Sequence, residues 1–170
     1  VRRAPASRSV DFNLRPLNPE AYLLTMKGRQ AWATRTGEGL RRSVEYFDQA
    51  IAQDPNYAPA YAGRANSLNV MLFYGYLSGQ EVIDDSMKTA RKAVALDDSL
   101  SDAHTAVAYG EFLWRWNWET AEAEFQRALQ LDDNYSTAHH WYALFLSAMG
   151  RRKQSIAEIQ RAQRLDPLSP

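Results

Sequence analysis

Three histidines and a few paired carboxylates are the residues of this chain whose types could do chemistry. The histidines are His104, His139 and His140. A metal site needs three or four convergent ligands, and adjacent residues such as His139 and His140 point to different faces of a helix. The chain holds no cysteine, which removes disulfides, thiolate–zinc sites and thiol nucleophiles together. The acid pairs Asp84–Asp85 and Asp97–Asp98 fall at expected helix starts, where the helix dipole favours negative charge. They therefore read as caps rather than as a catalytic dyad. The stretch "GEG" at 37–39 follows no strand and reads as a loop, not as a phosphate cradle. No residue is assigned to catalysis, to a cofactor or to a metal, and the chain reads as a non-enzyme that needs no cofactor.

The histidines lead instead to an architecture. His104 and His139 stand 35 residues apart, and Tyr61 stands 43 before His104. Asp54, Asp97, Asp132 and Asp166 are separated by 43, 35 and 34 residues, and so are Ala50, Ala93, Ala128 and Ala162. Markers that keep one spacing are the signature of an internal repeat, and a period near 34 with helical patterning means a helix–turn–helix unit. Leu40, Val44, Phe47 and Ile51 share one helix face, as do Ala121, Phe125, Ala128 and Leu129. Asn18 before Pro19 and Glu20 is a good helix start. Gly150 supplies a left-handed helix end, and Asn117 inside "WRWNWE" is expected to supply another. The expected helices are 19–35, 40–53, 58–76, 80–96, 101–115, 118–131, 136–149 and 151–165. His104 and His139 are expected to fill inter-helix seams and donate one hydrogen bond each.

With these residues in view, the pattern resembles the tetratricopeptide repeat (TPR). The last unit, 136–169, carries Tyr142 and Ala143 as its large–small pair, Ser155 and Ala162 at small places, and Pro167 as the closing proline. The unit at 101–135 supplies Ala108, Ala121, Phe125 and Ala128, with one extra residue near Asn117. The unit at 19–57 supplies Gly28, Ser43, Phe47, Ala50 and Pro55, with an insertion in "TRTGEG". The unit at 58–100 supplies Tyr61, Ala65, Ser86 and Ala93 around a longer insertion, "MLFYGYLSGQ" at 71–80. The resemblance implies an all-α fold, a right-handed superhelical α-solenoid of four helix–turn–helix repeats. Such units cannot bury their apolar faces alone and must stack, leaving a concave groove lined by the first helix of each. Ala65, Ala108 and Ala143 are expected where helices approach closely, and Phe47 and Phe125 where gaps are filled. The insertion at 71–80 is expected to prolong its helix and to lie over the insertion of the first unit, with a partner-binding patch as the alternative. Of Trp114, Trp116 and Trp118, Trp118 and one other are expected in core seams.

The wording between the structural positions also resembles TPR segments of large bacterial signalling proteins, where such arrays follow a winged-helix, nucleotide cyclase or Ser/Thr kinase domain. That resemblance implies a scaffold for protein–protein interaction or assembly inside a regulatory protein. The alternative is a ligand-sensing module that controls an attached transcription or signalling domain. The groove is expected to take a protein or peptide through Arg29, Trp32, Asn66, Asn69, Tyr109, Phe112 and His140.

Charge and hydropathy bound the remaining classes. Lys+Arg and Asp+Glu number 20 each in 170 residues, so the chain lacks the basic field that broad binding to nucleic acid or anionic membrane requires. No apolar run approaches a membrane span. The compartment reads as cytoplasmic, with the periplasm left open by the lack of cysteine. Residues 1–18 hold four arginines and two prolines and read as a linker from an upstream domain, with a basic arm as the sharper alternative. The array reads as cut at its C-terminal end. Ile156, Ile159 and Leu165 would then face a missing neighbour and could pair two copies of the chain as a homodimer.

Overall fold

The computed structural model of the chain describes residues 18–167. The expected linker therefore lies, apart from Asn18, outside the described residues. Among the described residues run eight α-helices: α1 Pro19–Ala33, α2 Gly37–Gln53, α3 Ala58–Phe73, α4 Gln80–Leu96, α5 Ser101–Gly110, α6 Trp118–Leu131, α7 Ser136–Ala148 and α8 Arg152–Leu165. A π-helical turn, Glu111–Arg115, prolongs α5. Each odd-numbered helix packs on the even-numbered helix after it, and α1, α3, α5 and α7 pack side by side in a row. The result is the all-α solenoid that the period implies.

The repeated aspartate phrase has a local reason. The backbone N–H of Asp54, Asp97, Asp132 and Asp166 bonds the carbonyl of the alanine four residues back, at 2.9 to 3.0 Å, and closes α2, α4, α6 and α8. The side chains of the first three then accept the N–H two residues on, from Asn56, Ser99 and Asn134. This Asx turn redirects the chain into the next helix. Asp97 thus ends α4 and does not cap the start of α5. Asp84 and Asp85 lie within α4, where they pair with Arg115 and Arg64.

Other ends follow the residues that make them. Asn18 accepts from the N–H of Glu20 and Ala21 and donates to the Gln53 carbonyl, which ties the start of α1 to the end of α2. Gly150 is left-handed, with φ of 73°. At the end of α5 the left-handed residue is Trp116, φ 58°, and not Asn117. Asn117 is the N-cap of α6, its side chain accepting from the Thr120 N–H. Helix α3 stops at Phe73 rather than running to 76. Gly75 takes a φ of 72°, and Tyr76 N–H reaches back to the Met71 carbonyl, as in a Schellman end. The Tyr76 ring then lies against Gly37, 3.2 Å from where a Cβ would stand, so the two insertions meet.

The core alternates small and large residues. Ala65 and Ala108 are fully buried and Ala143 nearly so, which lets the odd helices approach one another. Phe47 is buried between Gly28 and Gly63, and Phe125 sits against the rings of Tyr142 and Phe145 at 5.5 and 5.9 Å. The tryptophans divide otherwise than expected. Trp116 and Trp118 stack on each other at the surface, 73% and 47% exposed, because the left-handed turn swings both away from the core. Trp141 is the buried one.

Candidate functional site

The odd helices bring five of the seven candidate residues to one side of the solenoid, in a groove with two regions. In the first, Arg29 and Trp32 of α1, Asn66 of α3, Asp102 of α5 and Tyr135, just before α7, line one narrow cavity. Arg29 reaches across to Asp102, Nη2 to Oδ2 2.9 Å, and Asn66 Nδ2 donates to the Asp102 backbone carbonyl at 3.3 Å. The floor is therefore charge-balanced. Burial pushes the Asp102 carboxyl above its ordinary range, and Arg29 opposes that shift. Burial also pushes the Tyr135 phenol up.

Buried polar groups normally find partners. Here Trp32 Nε1, Asn66 Oδ1 and Ser101 Oγ are buried and have none among the described residues. Trp32 and Asn66 line the narrow cavity, and Ser101 lines the wider one that opens beside it past Trp32 and Tyr135. These three atoms have almost no exposed surface of their own, so a bound segment would reach them only as the side chains of Trp32, Asn66 and Ser101 turn toward the cavities they line.

The second region lies further along, between the end of α1 and α7. Tyr109 stacks on Trp141 with centroids 4.0 Å apart, and His140, Phe73 and Tyr74 complete an aromatic cavity of about 200 Å³. His140 is depressed below the ordinary histidine range, by burial first and by Arg35 second. Burial pushes the Tyr109 phenol up.

Of the residues expected in the groove, Arg29, Trp32 and Asn66 meet in the first region, and Tyr109 and His140 in the second. Asn69 lies elsewhere: it is fully buried in the seam of α3, α4 and α5. Its Nδ2 donates to the Ala106 carbonyl, and its Oδ1 accepts from Ser86 Oγ and Trp114 Nε1. Phe112 packs edge-on against Phe145, on the core side. Arg35, Asp102, Ser101 and Tyr135 line the groove without having been expected there. Arg35 and Tyr135 sit in turns, where helical periodicity gives no facing.

His104 and His139 fill seams as their position predicts. Each ring nitrogen Nε2 meets the backbone carbonyl six residues back, of Asp98 or Asp133, at 2.9 Å, and each Nδ1 meets a glutamate. Tyr61 makes the same backward bond, its hydroxyl donating to the Pro55 carbonyl at 3.0 Å. No group of three or more metal-ligating side chains occurs among the described residues, and no helix there is long and apolar enough to cross a membrane.

On the terminal helix, Ile156 is 49% exposed, whereas Ile159 and Leu165 are half-buried. Ile159 lines a cavity shared with Arg35 and His140.

No protein-family model matches the sequence, and no curated protein does. Solved structures do. A thermophilic TPR protein of Thermus thermophilus superposes with a TM-score of 0.68 at 18% identity, over 89% of this chain and 77% of that one. The first TPR domain of Spaghetti (RPAP3), solved bound to the HSP90 peptide SRMEEVD, gives 0.57 at 17% identity over 81% and 98%. The Arabidopsis OM64 TPR domain gives 0.56 at 18% identity over 76% and 97%. Likeness at this identity shows the fold, and the fold is that of a TPR array.

Proposed function

We propose that this chain is a non-catalytic scaffold whose concave groove binds an extended segment of a partner protein. The observation that carries this reading is a charge-balanced groove lined by Trp32, Asn66 and Ser101, whose buried polar atoms Trp32 Nε1, Asn66 Oδ1 and Ser101 Oγ have no partner among the described residues. An unpaired buried polar group costs about 1–3 kcal/mol. A bound backbone offers both a carbonyl for the indole N–H and an N–H for the amide oxygen. The peptide held by the structurally similar RPAP3 domain supports the same use of the fold.

The finer setting is a larger bacterial regulatory protein, in which the array joins partners or copies of itself. The resemblance of its wording to such regulators supports this. A second reading, a ligand-sensing module controlling an attached domain, is favoured by the aromatic cavity beside Tyr109 and His140.

The test is an array of blocked peptides in a neutral frame, screened against the wild-type chain and Asn66→Leu. Peptides that bind wild type and lose about tenfold or more with Asn66→Leu support the groove. Peptides that bind both proteins equally would move the site elsewhere. Binding of small aromatic acids in place of any peptide would favour the sensor.

A further inference from the structure

The turn after α1 holds a charged group whose placement the groove reading leaves unexplained. Arg35 is one of two non-glycine residues with positive φ among the described residues, at 54°. A left-handed arginine is uncommon, because its Cβ crowds the following carbonyl oxygen. This backbone places the guanidinium over the Trp32 ring, 3.5 Å from Cζ to centroid. It is half-buried, and burial lowers its pKa from the ordinary arginine value.

Every other groove cation is neutralised. Arg29 is paired with Asp102, and on the flank Arg64 is paired with Asp48 and Asp85. Arg35 has no carboxylate within ion-pair distance and no side-chain hydrogen-bond acceptor among the described residues. Its electrostatic neighbours are the phenols of Tyr74, Tyr135 and Tyr109, and then Asp166 as the weakest. A half-buried guanidinium without an anion is expensive, because desolvation is not offset by pairing.

Arg35 and His140 together form the partition between two cavities. On one side lies the aromatic cavity of Phe73, Tyr74, Tyr109 and Trp141. On the other lies a cavity of about 240 Å³ lined by Ser136, Thr137, Gln163 and, as its one carboxylate, Asp166. An anion at the partition would meet a planar five-donor fork and an imidazole, while an aromatic neighbour entered the adjacent cavity.

We propose that Arg35 and His140 form a receptor for the side-chain carboxylate of a partner peptide, an Asp or Glu next to an aromatic residue that fills the cavity lined by Tyr109 and Trp141. This rests on the groove reading and names the segment the groove selects. Binding carries a proton with it. In the empty groove burial and Arg35 hold His140 below the ordinary histidine range, with Asp166 and the phenols of Tyr74, Tyr109 and Tyr135 as the other titratable groups near Arg35. A carboxylate between Arg35 and His140 favours the imidazolium, so affinity rises as pH falls toward about 6.

The experiment is fluorescence polarisation with acetylated, amidated peptides that place Glu–Trp, Gln–Trp, Glu–Ala or Gln–Ala in a Gly–Ser frame. Blocked ends confine the charge to the side chain. The proteins are wild type, Arg35→Asn, Arg35→Lys, His140→Gln and Asn66→Leu, each checked by circular dichroism and melting. Asparagine tolerates the left-handed region, so Arg35→Asn removes the cation without new backbone strain. Wild type is expected to prefer Glu–Trp over Gln–Trp by about tenfold. Arg35→Asn abolishes the preference, Arg35→Lys keeps part of it, and His140→Gln removes the rise in affinity at low pH. Equal binding of Glu–Trp and Gln–Trp overturns the proposal, as does an Arg35→Asn protein that still discriminates. In either case, peptides that still weaken with Asn66→Leu leave the groove reading standing, whereas peptides indifferent to Asn66→Leu sink both. If 3-phenylpropionate binds as tightly as the Glu–Trp peptide, the carboxylate comes from a small molecule and the peptide assignment is overturned.

Discussion

His139 repeats His104: in both, Nδ1 lies 2.6 Å from a glutamate oxygen on the following helix, Glu158 or Glu124, and Nε2 lies 2.9 Å from a carbonyl six residues back. A carbonyl only accepts, so Nε2 carries a proton. Each ring therefore fastens two helices of one unit and the turn before them at a single buried point.

For His104 the fastening has a pH dependence. Its pKa is raised above the ordinary histidine value of 6.5, with the Glu124 hydrogen bond as the largest raising cause. A folded-state pKa above the unfolded one means the stabilisation is fully present below about pH 6.5 and is lost as pH rises through the raised value. His104→Gln should therefore destabilise by about 1.5–3 kcal/mol near pH 6 and by less near pH 9. Urea midpoints of both proteins across that range check it. A gap that widened with pH would contradict the assignment.

Phe47 closes the first inter-unit seam against two glycines. A Cβ on Gly28 would stand 2.7 Å from the ring, and one on Gly63 would clash with it. Gly63→Ala should cost about 1–3 kcal/mol through overpacking, and Phe47→Leu in the same chain should recover part of that loss. Phe125→Ala, at a fully buried ring, should cost about 3–5 kcal/mol. Denaturant titration reads all of these, and a double variant no better than Gly63→Ala alone would mean the backbone, not the ring, is the obstacle.

Asn66 and Asn69 are one helix turn apart in α3 and differ in what their oxygens do. Asn69 Oδ1 accepts from Ser86 and Trp114, while Asn66 Oδ1 has no partner among the described residues. Asn69→Leu should lose about 2–4 kcal/mol by stranding several buried groups, whereas Asn66→Leu should stay within about 1 kcal/mol. Thermal melts of the two variants are the comparison. Equal losses would mean that the Asn66 oxygen is satisfied in solution.

The exposed Ile156 marks the outer face of α8. If two copies of the chain pair through that face, Ile156→Glu converts a dimer into a monomer in light scattering at high concentration. Ile159→Glu is the poorer probe, because Ile159 also lines the cavity with Arg35 and His140 and would disturb the groove. A wild-type chain that stays monomeric removes the pairing.

The eight helices were legible because aspartate turns and buried alanines recur together, always four residues apart, and that offset has a hydrogen-bond reason. What the sequence hid was handedness at single residues. Asparagine is the commoner left-handed residue, so Asn117 drew attention that belonged to Trp116, and Asn117 was free to cap α6. That Arg29, Trp32 and Asn66 come together was legible because they sit on regular helices. Asn69 shares the same α3 pattern, yet faces the seam, because periodicity fixes relative facing and not which neighbour lies there. Arg35 and Tyr135 stand at helix ends, and the signal for their place beside the cavities was faint: an arginine placed just before "TGEG" and a tyrosine closing "DDNY".

The π-helical turn at Glu111–Arg115 falls in the unit that is 35 residues long, beside a unit that is 34. A single additional residue would rotate every following side chain of an α-helix by about 100°. Here the widened turn takes up the surplus, and Asn117 N–H still closes on the Glu111 carbonyl at 3.0 Å. The turn works like a leap day: it absorbs the odd residue where it arises, and the next step, from Ala128 to Ala162, is 34.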